Sequence, residues 1–223
     1  MLKGTGAENG RAFDFFNGGS ITADGNATIE ARLGDHLTSH TLTITQSAGT
    51  TTIIGEVRDR VTLKAAGAGT VVYAPAASVT GTSSPLVVDT GATLQLTPGA
   101  AFALNGAVSG KGKLVLGDGT TARAFTSTRT YPDVEVANLQ SLTVQVKPSV
   151  TLSLNPGADN FAFPIATVFD VASEAELILA SGKSFFGVSG AGSCSVTGNY
   201  LFGVSGTSAD AGFPDTAKVL NVD

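Results

Sequence analysis

The stretch Val88-Asp-Thr-Gly-Ala-Thr-Leu-Gln-Leu-Thr-Pro-Gly99 carries a twelve-residue frame with Val at position 1, Leu at 7 and 9, and Gly at 12. The frame returns at Val108-Leu114-Leu116-Gly119, Val146-Leu152-Leu154-Gly157 and Val171-Leu177-Leu179-Gly182. At this chain's Val, Leu and Gly content, chance supplies far less than one copy. Weaker copies extend the series. Val188-Cys194-Val196 ends at Asn199, Val57-Leu63-Ala65 closes early at Gly67, and Ala23-Ile29-Ala31-Gly34 keeps the spacing with smaller side chains. Two local likenesses support the frame. Thr93 to Phe102 resembles Thr151 to Phe161, and Val108-Ser-Gly-Lys-Gly-Lys113 resembles Val188-Ser-Gly-Ala-Gly-Ser193.

Positions 7 and 9 are two apart, so on an extended strand both side chains point to one face. Position 1 belongs to the preceding short strand, before a corner of Gly, Ser, Thr or Asp. The Gly at 12 supplies the next corner, where positive φ or close backbone approach is needed. Such a unit has one apolar face and buries it only by stacking on further copies. The expected fold is therefore all-β, a right-handed parallel β-helix with irregular corner loops. A β-sandwich is the alternative, because short strands at regular spacing also fit that architecture. Frame starts at 23, 57, 88, 108, 146, 171 and 188 leave uneven gaps, which fits stacked strands with loops bulging at the corners. Ser173-Glu-Ala-Glu176 reads as a helix capping box, but its match to the other copies favours a strand at Leu177 to Leu179.

Residues 21–205 are read as the β-rich body. Residues 1–20, with Phe13, Phe15 and Phe16 between glycines, are read as an arm or cap that covers an open end or docks on a partner. Residues 206–223 are read as a C-terminal cap or inter-subunit tail.

Composition narrows the function. Charged residues are 14% of the chain and the net charge is −5. No basic cluster is present, and neutralising phosphates needs one, so neither nucleic acid nor an anionic membrane is an expected partner. Cys194 is the only cysteine, which excludes an internal disulfide and argues against a cysteine zinc site. The N-terminal residues contain no apolar core of a secretory signal, and no stretch approaches the length of a spanning helix. The expectation is a protein used without Sec export, as a virus component is, or an excised piece of a surface protein.

The chemistry-bearing residues each have an ordinary structural reading. Asp133 and Glu135 share one face of a strand, the arrangement of a glycosidase pair, but fit a solvated outer face. Arg58-Asp59-Arg60 reads as a corner salt bridge rather than a lyase site. Asp89 and Asp170 fit Asx turns. His36 and His40 lead from loop to strand and are not expected to bind metal. Thr41 to Thr45 and Thr50 to Thr52 have the look of an ice-binding array, but do not recur at the frame interval, so strand propensity accounts for them. Without Trp and with three Tyr (Tyr73, Tyr131, Tyr200), the chain lacks the usual aromatic platforms of a glycan cleft. Cys194 occupies a Leu slot and is expected to be buried and inert. No catalytic, cofactor-binding or metal-binding residue is assigned, and no cofactor is expected.

The phrases Gly91-Ala-Thr-Leu-Gln-Leu96 and Val108-Ser-Gly-Lys-Gly-Lys-Leu-Val-Leu-Gly117 resemble rungs of phage tailspike β-helices and autotransporter passenger domains. That resemblance, architectural only, implies extracellular display, frequent trimers and, in some tailspikes, glycan hydrolysis. The expected function is a non-enzymatic structural protein of a virus particle: a phage capsid decoration protein or a tail fibre or spike component at the virion surface. Its expected partners are itself, as a homotrimer, other virion proteins such as the major capsid or tail proteins, and a host surface glycan. The alternatives are a bacterial adhesin or autotransporter passenger fragment at the cell surface, and a polysaccharide-degrading β-helix enzyme.

Overall fold

The computed structural model describes residues 18–34, 39–128, 142–155, 167–180, 182–184, 186–196, 200–202 and 220–222. These residues form no helix; their parallel strands stack as a β-solenoid of about six turns. The chain divides into two compact units, Met1–Leu114 and Val115–Asp223.

The first unit runs coil by coil through β1 (Gly19–Ala23) and β2 (Ala27–Ile29), then β3 (His40–Gln46) and β4 (Thr50–Ile53). Next come β5 (Val61–Ala66), β6 (Thr70–Tyr73) and β7 (Gly81–Thr82), then β8 (Leu86–Val88), β9 (Thr93–Leu96) and β10 (Ala101–Leu104). β11 (Val108–Gly110) and β12 (Lys113–Leu116) follow, and the boundary between the units falls inside β12. One sheet has the order β1-β3-β5-β8-β11, and another contains β2, β4, β6 and β9 in consecutive pairs.

Alternation along each strand sends every second residue inward, and the parallel register places those residues above one another. In the first sheet Leu42, Leu63, Leu86 and Val108 form one inward column, and Ile21, Ile44, Ala65 and Val88 form the next. In the second, Ile29, Ile53, Tyr73 and Leu96 align, and Leu94 sits on Val71. All of these but Ile21 are buried. The Tyr73 and Phe102 rings meet edge to face with centroids 6.3 Å apart.

The second unit contains β13 (Arg123–Ser127), β14 (Thr143–Val146), β15 (Val150–Leu154), β16 (Thr167–Val171) and β17 (Glu176–Leu179). It continues with β18 (Gly182–Ser184), β19 (Phe186–Gly190), β20 (Ser193–Val196), β21 (Tyr200–Phe202) and β22 (Leu220–Val222). Phe125, Leu152, Leu177 and Cys194 form one buried column, and Val144, Phe169 and Val188 another.

The Val and Leu positions of the four full copies are thus interior positions, as expected, and Glu176–Leu179 is a strand rather than the start of a helix. Two details differ from the sequence reading. First, the copies do not build one column. Leu94 and Leu114 belong to one sheet and Leu152 and Leu177 to another, so the frame marks a type of corner that recurs on different faces. This is why its intervals are uneven while coil height in the first sheet is nearly constant: 23 residues from Gly19 to Leu42, 21 to Leu63, 23 to Leu86 and 22 to Val108. Second, left-handed backbone falls at frame position 4 as well as at the closing glycine. Gly91, Ser149 and Glu174 have φ of 82°, 63° and 63°. The closing glycines Gly34, Gly67 and Gly119 are left-handed at 87°, 86° and 86°, as expected, whereas Gly182 opens strand β18.

Each position-4 residue is third in a four-residue turn closed by a backbone bond. Ala92 N–H donates to Asp89 O (3.0 Å), Val150 N–H to Lys147 O (3.3 Å) and Ala175 N–H to Ala172 O (3.1 Å). Positive φ there is the signature of a type II turn, and Pro148 occupies the second position, where its fixed φ fits.

The Val108 and Val188 copies make a shorter corner. Val108 pairs with Leu86 and Gly110 with Val88; likewise Val188 pairs with Phe169 and Gly190 with Val171. Two residues fewer then bridge the strands than in the coil below. The Val88 carbonyl accepts the N–H groups of Lys111 (2.9 Å) and Gly112 (3.0 Å), and Val171 O accepts that of Gly192 (2.9 Å). A Cβ on Gly110 would lie 2.0 Å from Val88 O, and on Gly190 2.1 Å from Val171 O. Only glycine permits this approach.

Candidate functional site

Buried polar groups collect at two corners. Gln46 ends β3 beneath the surface, where its Nε2 donates to Gly25 O (2.9 Å) and to Ala48 O. Its Oε1 accepts from Thr51 Oγ1. These bonds link successive corners and satisfy both ends of the buried amide, which otherwise would be costly. The second cluster surrounds the Val57 turn. Ser84 Oγ donates to Arg58 O (2.8 Å), Ser84 N–H donates to Thr82 Oγ1 (3.0 Å), and Val57 N–H donates to the Tyr73 hydroxyl (3.2 Å). Burial pushes the Tyr73 phenol up to about 12. Arg58 is 9% exposed, and its Nε has no hydrogen-bond partner among the described residues.

The salt bridge expected within Arg58-Asp59-Arg60 is absent: no ion pair joins these residues to one another, and Asp59 and Arg60 face solvent. The turn is held by backbone instead, with Arg58 N–H on Leu33 O (3.1 Å) and Val61 N–H on Arg58 O (2.9 Å). Two half-exposed ion pairs run between coils, Arg32 to Glu56 (2.8 Å) and Lys64 to Asp89 (3.0 Å).

Asp118 shows how an acidic side chain becomes fully occupied. Its Oδ1 accepts from the backbone N–H groups of Thr120 (2.9 Å) and Thr121 (2.9 Å), and its Oδ2 lies 2.7 Å from Arg123 Nη1. The backbone donors of Thr121 and Thr120, with Arg123 adding to them, hold the carboxyl well below the usual carboxylate range. The carboxylate organises its own turn and presents no free face for a substrate.

Asp133, Glu135, His36, Tyr131, Phe13, Phe15 and Phe16 lie outside the described residues, as does most of the tail from Phe213. His40 opens β3, buried and opposite Val61. Asp89 and Asp170 do not make the Asx turns expected of them. Asp89 pairs with Lys64, and Asp170 accepts from Gln145 Nε2 (3.3 Å) on the neighbouring strand. Cys194 is buried, and burial pushes its thiol up to about 11. Tyr73 is an interior side chain rather than a sugar platform.

The threonines do recur, contrary to expectation: Thr50, Thr70 and Thr93 stack in register on adjacent strands. The neighbouring column, Thr28-Thr52-Val72-Gln95, breaks the pattern, so β propensity still accounts for them. Among the described residues no group of three or more His, Cys, Asp or Glu is placed to hold a metal ion. Sequence reasoning missed the Gln46–Thr51 and Ser84–Tyr73 clusters. The available signal was Gln46 itself, a polar residue standing one step beyond the alternating Leu42 and Ile44. No protein-family model, curated protein or solved structure matches the chain.

Proposed function

We propose that this chain is a non-enzymatic structural protein of a virus particle, a capsid decoration protein or a component of a tail fibre or spike. It works as a homotrimer seated on other virion proteins at the particle surface. The observation that carries this reading is how the polar side chains are used. Gln46, Ser84 and Asp89 are engaged in bonds that lock one coil to the next, and Asp118 is engaged in bonds that close its own turn. Beneath them, in-register apolar columns fix the strands, and the outer faces carry Ser20, Thr22, Thr43 and Thr45 on one sheet and Thr50, Thr70 and Thr93 on another. Such surfaces suit repeated, geometrically fixed contacts between identical subunits.

Mass spectrometry of purified particles, with copy number, tests the reading together with sedimentation of the isolated protein. The expected result is a stoichiometric particle component that sediments as a trimer. Recovery from a bacterial outer surface would replace the proposal with an adhesin, and depolymerisation of host glycans by the pure protein would replace it with an enzyme.

A further inference from the structure

Asp24-Gly25, Asn105-Gly106 and Asp118-Gly119 are Asx-Gly pairs within the described residues, and their surroundings differ in a way that bears on covalent chemistry. An aspartate followed by glycine can cyclise without a partner. The glycine nitrogen attacks the side-chain carboxyl carbon, a C–N bond forms, and a carboxyl oxygen leaves as water. Water then reopens the succinimide; attack at the main-chain carbonyl leaves isoaspartate, with the chain routed through the former side chain. The water released in the first step is regained in the second, so no oxidant, reductant or other reactant is needed. Cyclisation requires a glycine N–H free of hydrogen bonds and a carboxyl free to swing onto it.

Two of the pairs fail these requirements. Asn105 and Gly106 both donate their N–H groups to Thr82 O (2.9 and 3.1 Å), and Gly106 is pressed so closely on Ser84 that a Cβ would lie 2.0 Å from its carbonyl oxygen. The Asp118 carboxylate is clamped by Thr120, Thr121 and Arg123 and is kept ionised, the less electrophilic form. Asp24-Gly25 meets both. It lies exposed in the corner between β1 and β2, the Asp24 carboxyl has no partner among the described residues, and Gly25 N–H donates to none of them. Nothing lies within 4 Å of a Cβ placed on Gly25.

We propose that Asp24 is a site of spontaneous isoaspartate formation in the folded protein. The added main-chain atom displaces Gly25 O, which accepts from Gln46 Nε2 (2.9 Å), and Asn26 Oδ1, which accepts from Thr50 N–H (3.0 Å). Modification therefore loosens the corner that the buried Gln46 fastens.

The test is to age the folded full chain at neutral pH and physiological temperature, then map peptides by a fragmentation method that separates aspartate from isoaspartate. Wild type and Gly25→Ala are compared, since the open space around Gly25 lets the variant fold. The expected result is conversion at Asp24 several-fold faster than at Asp118 in the folded protein, comparable rates at both in denaturant, and strong suppression at Asp24 by Gly25→Ala with melting unchanged or raised. Equal rates at Asp24 and Asp118 in the folded protein, or a wild-type rate in Gly25→Ala, would overturn the proposal.

Discussion

The corner between β8 and β9 and the corner between β16 and β17 span the same number of residues and close with the same backbone bond, yet they meet one demand differently. In the first unit the left-handed residue is Gly91, with nothing within 4 Å of a would-be Cβ. In the second unit the equivalent residues are Ser149 and Glu174, each at φ 63°. A non-glycine residue in that region costs about 1–2 kcal/mol. The turn persists because the strands it joins are pinned by buried pairs, Val146 on Val171 and Leu152 on Leu177. The short corners teach the opposite lesson. Gly110 and Gly190 are glycine in both units, because close approach to a carbonyl, and not φ alone, excludes a side chain.

The comparison breaks most visibly in the columns. Leu94→Asp and Leu152→Asp each place an unpaired carboxylate in a dry interior, and each is expected to lose more than about 4 kcal/mol in denaturant titrations. Wild-type melting in either variant would remove that unit's column. Next come Gly110→Ala and Gly190→Ala, each expected to cost about 2–4 kcal/mol, because the corner must open and the backbone is left-handed. A loss at only one of them would show that the two short corners are not equivalent.

Alkaline pH probes the two interiors separately. Burial raises the Tyr73 phenol from 10.0 to about 12 in the first unit, and the Cys194 thiol from 9.0 to about 11 in the second. A raised folded value means the stabilising contribution is intact below the ordinary pKa and is lost as pH rises through the folded one. Each is worth roughly 2–3 kcal/mol at 1.36 kcal/mol per pH unit. Cys194→Ala should remove the part of the loss that begins near pH 9, and Tyr73→Phe the part that continues up to pH 12, as read by denaturation across that range. The smallest effect carries the sharpest contrast. Glu174→Gly should stabilise by about 0.5–1 kcal/mol while Gly91→Ala destabilises by about 1 kcal/mol. The same sign for both would mean that φ is not what distinguishes these corners.

The strands and the inward residues were legible because alternation and the Val-Leu-Leu spacing are physical consequences of a one-sided strand. Leu94, Leu114, Leu152 and Leu177 are all interior. Which face each occupies was not legible, because a corner between two sheets has the same local demands wherever it occurs in a coil. Coil height was hidden for the same reason. The left-handed turns at Ser149 and Glu174 escaped notice since neither residue prefers that conformation; only Pro148 hinted at one of them. Polar contacts such as Lys64 to Asp89 depend on register between coils, which local pattern does not set.

The stacking of coils in register is tested most directly by NMR scalar couplings across hydrogen bonds, which identify donor and acceptor residue by residue. Couplings are expected from Ala172 N–H to the Val146 carbonyl, from Ala180 N–H to Leu154, and from both Lys111 and Gly112 N–H to Val88. Couplings that instead join adjacent strands in antiparallel order, or that shift the Val88 acceptor to another residue, would contradict the solenoid at its foundation.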